Sequence, residues 1–103
     1  MLFIETPIFT EDVKDLLTDD EYAAFQQFMA DNPDWGDVIP HTGGLRKVRW
    51  SAKSKGKRSG VRVIYFHKVS DSHIRLLLIY KKGVQDDLSV DEKRQLRAFN
   101  EGW

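Results

Sequence analysis

Lysine and arginine recur at the positions of this chain where fixed positive charge could act on phosphate. Lys47 and Arg49 alternate along residues 45–51, Arg62 stands near the head of residues 61–68, and Lys81 and Lys82 follow the apolar run 74–80. Arg46 precedes the first pair, and Lys53, Lys55, Lys57 and Arg58 crowd the stretch between the first two segments. Arginine gives bidentate, permanently charged hydrogen bonds to oxyanions. A lysine crowded by other cations loses its proton more readily and can exchange it near neutrality.

The whole sequence has 16 basic and 16 acidic residues, but they are not mixed. Residues 41–82 hold 12 of the 16 bases and one acid, Asp71, whereas residues 1–40 hold one base, Lys14, and ten acids. Such asymmetry within one small domain predicts two electrostatic faces, one of them suited to a polyanion such as nucleic acid. A run such as 53–58 is in most proteins a solvated loop. Bases spread over adjacent strands instead form a two-dimensional patch, whose self-repulsion an anionic ligand relieves.

Other chemistries fit poorly. There is no cysteine, so disulfides and thiolate nucleophiles are excluded. His41, His67 and His73 lack metal-ligand spacing, so neither a metal nor another cofactor is expected. The segment Gly56-Lys57-Arg58-Ser59-Gly60 lacks the first glycine of a phosphate loop, because Ser51 occupies that place, and Arg58 separates Lys57 from the hydroxyl. What remains is RNA chemistry without a metal. The 2′-oxygen attacks the adjacent phosphate, cations stabilise the phosphorane, and an acid protonates the leaving 5′-oxygen. Tyr65 or Tyr80 could orient a hydroxyl or stack on a base, although a tyrosine on a central strand is more often core.

The elements that must position these residues follow from periodicity and caps. Residues 2–4 read as a short strand ending near Pro7. Thr10 with Glu11 and Asp12 reads as one helix start, and Thr18 to Glu21 as a capping box opening a second helix that Asn32-Pro33 stops. Together they predict a helical hairpin, acidic outside and aromatic inside. Residues 34–44 read as a loop. Three strands follow over 45–51, 61–68 and 74–80; in the first, Lys47 and Arg49 point one way and Val48 and Trp50 the other. The last strand, apolar throughout, is expected to be central and buried on both faces. Ser89 to Glu92 is a further capping box, opening a helix with Leu96, Phe99 and Trp103 on its inner side.

The reading is therefore α+β: one domain over residues 1–103, in the order β-α-α-β-β-β-α. An antiparallel sheet is covered by a helical hairpin and a C-terminal helix. Residues 1–5 are too short and too soon charged for a signal peptide, and the longest apolar run is far below the roughly 20 residues of a membrane span. A cytoplasmic protein without membrane contact is expected.

This order resembles the RelE/ParE toxin superfamily, and within it the HigB-type toxins of type II toxin–antitoxin modules. The likeness is carried by Gly43 to Arg49, Gly60 to Tyr65 and Ile79 to Lys82, together with Asn32-Pro33, residues 36–39, Arg97 to Phe99 and Trp103. The resemblance implies a RelE-like fold and a ribosome-dependent messenger-RNA endoribonuclease that cuts the codon in the ribosomal A site. It implies as partners the ribosome with its 16S rRNA, the message, and a HigA-like helix-turn-helix antitoxin, through which alone operator DNA is met. It implies catalytic roles for Lys47, Arg49, Arg62 and Lys82. Arg46, Lys53, Lys55, Lys57, Arg58, Tyr65 and Lys81 would grip RNA. Relatives place a tyrosine base in the C-terminal segment; residues 85–89 offer none, leaving that role to a lysine or to a weakly catalysed mechanism. ParE-type relatives act on DNA gyrase, and a non-catalytic RNA-binding module is a further alternative.

Overall fold

A computed structural model describes residues 1–51, 60–81, 83 and 87–103. Lys53, Lys55, Lys57, Arg58 and Lys82 lie outside the described residues. Among the described residues the chain forms three α-helices and a five-stranded mixed sheet. In chain order these are β1 (Leu2–Glu5), α1 (Pro7–Leu16), α2 (Asp19–Asp31), β2 (Asp37–Val38), β3 (Arg46–Trp50), β4 (Val61–Lys68), β5 (His73–Lys81) and α3 (Val90–Glu101). The spatial order is β1-β5-β4-β3-β2.

Local chemistry explains most boundaries. Thr18 and Ser89 each close a reciprocal capping box, with Glu21 and Glu92 returning the bond to the cap. The first helix begins earlier than Thr10. Thr6 caps it by accepting from the Phe9 N–H, and Pro7 takes the first helical position, where its missing N–H costs nothing. Thr10 sits inside the first turn and donates to the Thr6 carbonyl at 3.1 Å.

The sheet departs from expectation at both edges. β1 pairs parallel with β5, Leu2 opposite His73 through Glu5 opposite Leu76, because the α1–α2 hairpin carries the chain over the sheet between them. Thr6 secures this edge by donating its hydroxyl to the Leu77 carbonyl at 2.8 Å. At the other edge, the segment read as loop contributes β2, antiparallel to β3 with Asp37 opposite Lys47.

Two cores lie on opposite faces of the sheet. On one face Phe9, Val13, Leu17, Phe25 and Met29 of the hairpin pack on Val48, Val61, Val63 and Tyr65. On the other, Ile39, Leu45, Ile64, Leu77, Tyr80 and Leu88 form a smaller cluster that Leu96 of α3 joins. Burying these large side chains supplies the main stabilising term, about 1.5–3 kcal/mol for each. β5 is central and, except at its final residue, largely buried, as its apolar run predicts. A bulge opposite Ile64 and Tyr65 shifts its register, so Leu77 and Leu78 both join the α3 side.

The docking of α3 is not the apolar stripe expected from Leu96, Phe99 and Trp103. Phe99 is 52% and Trp103 41% exposed, whereas Asn100 is buried. The helix is instead held by Arg75 of β5. Its Nη1 donates to both the backbone and side-chain oxygens of Asn100 at 3.0 Å, and its guanidinium lies under the Trp103 ring, 4.9 Å from the centroid. A cation at the carbonyl end of a helix also complements its dipole. Among the described residues, no helix is long and apolar enough to cross a membrane.

Candidate nucleic-acid interface

Antiparallel register fixes which basic side chains meet. Arg49 of β3 lies directly opposite Arg62 of β4, and Arg62 lies opposite Tyr80 of β5. Directly opposed residues share a face. Lys47, two residues before Arg49, is on that face too, opposite Asp37 on one side and Ile64 on the other. Lys47, Arg49 and Arg62 thus line one open cleft of about 570 Å³, with Trp35, Gly36, Asp37 and Val48 completing its wall.

The three cations differ in environment. Arg62 is 8% exposed, and among the described residues its Nη1 reaches only the Val61 carbonyl, at 3.5 Å. Arg49 is exposed. Among the described residues, neither arginine has a carboxylate within ion-pairing distance. Like charges directly opposed across strands repel, and burying one of them adds a desolvation cost. Lys47 is moderated: its Nζ lies 3.3 Å from Asp87 Oδ1, a carboxylate group whose side chain is 85% exposed. An ion pair so open to water holds weakly, by roughly 0.2–1 kcal/mol.

Three of the residues read as RNA contacts are placed elsewhere. Arg46 shares the face of Val48 and Trp50, and its Nη1 donates to the backbone oxygens of Gly36 at 2.7 Å and Asp34 at 3.1 Å. Tyr65 is fully buried in the hairpin-side core. Burial pushes its phenol upward, so it stays protonated, donating to the Pro33 carbonyl and accepting from the Gly36 N–H, both at 2.9 Å. Lys81 is exposed but pairs with Val61, whose side chain belongs to the hairpin-side core, so it lies on the face away from Arg62. Tyr80 is 8% exposed and belongs to the core beneath α3.

The displaced Arg46 and Tyr65 hold the wall of the cleft in place. Gly36 passes so close to them that a Cβ there would stand 2.8 Å from the Tyr65 ring and 2.9 Å from the Lys47 carbonyl oxygen. Only glycine fits such an approach. Next to it, Asp34 meets His67 Nδ1 at 2.8 Å and Arg46 Nε at 3.9 Å. The hydrogen bond from His67, aided by the charge of Arg46, holds the Asp34 carboxyl below the usual aspartate range.

Sequence reasoning missed Trp35, Asp37 and Asp87. The first had a signal: a tryptophan in the turn Asp34-Trp35-Gly36-Asp37, where neither helical nor strand spacing gives it a core position. No family model matches the sequence.

Proposed function

We propose that the cleft holds the phosphate of an RNA strand, and that the chain is the toxin of a bacterial toxin–antitoxin pair, a RelE-like, HigB-type endoribonuclease that halts translation. The observation that carries this reading is the directly opposed pair Arg49 and Arg62, one exposed and one buried, without a carboxylate partner among the described residues. Holding two cations together in a cleft costs free energy that a bound phosphate returns.

In this reading Arg49 and Arg62 take the two non-bridging oxygens. The 2′-oxygen attacks phosphorus as its proton passes to Asp37, the carboxylate that lines the cleft opposite Lys47. The P–O5′ bond breaks, Lys47 gives the leaving oxygen a proton, and the products are a 2′,3′-cyclic phosphate and a 5′-hydroxyl. The ribosomal A site as the place of cleavage and a helix-turn-helix antitoxin as partner rest on the family resemblance, and a ribosomal target puts the protein in the cytoplasm.

The test is to incubate the purified chain with a message, free and on translating ribosomes, and to map the new 5′ ends. Cuts within the A-site codon on ribosomes alone are expected. Equal cleavage of free RNA would remove the ribosome from the reading. Intact messages with inhibited DNA gyrase would replace it with the gyrase reading.

A further inference from the structure

Trp35 is the large aromatic that lines the cationic cleft, and it is 65% exposed. Its ring is backed rather than loose, meeting Phe28 of α2 edge-on with centroids 5.5 Å apart, and Phe28 in turn packs on Trp50 of β3 at 5.5 Å. The backbone on both sides is tied down. Trp35 N–H donates to the Asn32 carbonyl at 3.1 Å. Tyr65 bridges Pro33 and Gly36, and Arg46 bonds to the carbonyls of Asp34 and Gly36. The fold therefore fixes the turn while leaving the indole in water, the reverse of what burying an aromatic for stability would require.

A rigid, exposed ring beside guanidinium groups matches the two needs of a single strand, a flat surface for a base and fixed charge for its phosphate. In a duplex the base faces are already stacked and cannot reach such a ring. We infer that Trp35 is the stacking platform for an unpaired nucleobase of RNA whose adjacent phosphate lies on Arg49 and Arg62. This rests on the RNA reading of the cleft. It adds that the strand is single and that a base is gripped as well as the backbone.

The experiment compares binding of the full chain to a short labelled single-stranded RNA and to an abasic strand of the same length and charge. The wild type should prefer the base-bearing strand by about 5- to 100-fold, as aromatic stacking on a base gives. Trp35→Ala should bring that ratio near unity, and Trp35→Phe should keep most of it, with thermal melting unchanged in both. An unchanged ratio in Trp35→Ala, or a wild type that binds both strands equally, overturns the platform and leaves the phosphate cleft standing. A wild type that binds neither strand overturns the RNA reading itself, and the platform with it.

Discussion

Arg62 and Arg75 stand on adjacent strands, on the same side of the sheet and nearly equally buried, at 8% and 6% exposure. Their surroundings could hardly differ more. Arg75 donates from Nε to His73 Nε2 at 3.1 Å and from Nη1 to two oxygens of Asn100, with Phe66 and Trp103 against its faces. Arg62 has, among the described residues, one marginal bond, to the carbonyl of the preceding residue, and a second arginine opposite. A guanidinium given acceptors and ring faces is part of the fold's cohesion. One left facing a cleft with a like charge beside it is a cost the fold carries for something else.

The widest separation should come from replacing each in turn. Arg75→Ala strips the bond partners of His73 and Asn100 and both ring contacts, and should cost about 3 kcal/mol of stability in chemical denaturation. Arg62→Met should leave stability unchanged or slightly raised, yet reduce RNA cleavage by on the order of 100-fold, the effect of losing one oxyanion donor. If Arg62→Met destabilised the chain as much as Arg75→Ala, the distinction between the two arginines would be wrong.

Tyr65→Phe comes next, since it tests whether the cleft wall is held as firmly as α3. It leaves the Pro33 carbonyl and the Gly36 N–H without their shared partner and should cost about 1–3 kcal/mol, with weaker RNA binding following from the loosened turn. Asp87→Asn should act in the opposite direction and more gently. With its ion-pair partner's charge removed, Lys47 is less compensated, and affinity for a polyanion should rise by about two- to fivefold at low salt and less at high salt.

The smallest effect concerns pH. The carboxyl of Asp34 is depressed in the folded chain, so its contribution to stability is complete above the ordinary aspartate pKa and is lost as pH falls through the lower folded value. Mild acid, below about pH 4, should therefore loosen the turn carrying Trp35 while the bonds from Arg75 to the neutral amide oxygens of Asn100 hold. Trp35 emission, followed in a chain with Trp50 and Trp103 changed to Phe, should shift before the far-ultraviolet dichroism does. In the Asp34→Asn background that early shift should vanish.

Much of the fold was legible where the signal is local. Thr18 with Glu21 and Ser89 with Glu92 announce their helices because both halves of each cap lie within one turn. Strand alternation correctly put Lys47 and Arg49 on one face, and the same parity set Arg46 with Val48 and Tyr65 with Val63, against their reading as RNA contacts. The pairing of β1 with β5 had no local sign, since residues 71 apart in sequence make it. Nor had β2, whose two residues are a strand only because β3 offers them an edge. The exposure of Trp35 depends on Gly36, Arg46 and Tyr65 at once, and such a convergence has no signature in spacing.

The parallel pairing of β1 also orders events as the chain is made. β1, α1 and α2 leave the ribosome well before β5, the strand that β1 joins and that forms much of the hairpin's floor, which is the last of the described strands to be made. Contacts at such separation form late, because a long loop must close before they reward it. The hairpin thus waits with its apolar face unfinished, and its acid-rich exterior helps to keep it from associating with other nascent chains. The sheet can close only after residue 81 has emerged. A half-made chain therefore lacks the support beneath Arg62, and the cleft forms only once residue 81 is free to join the sheet.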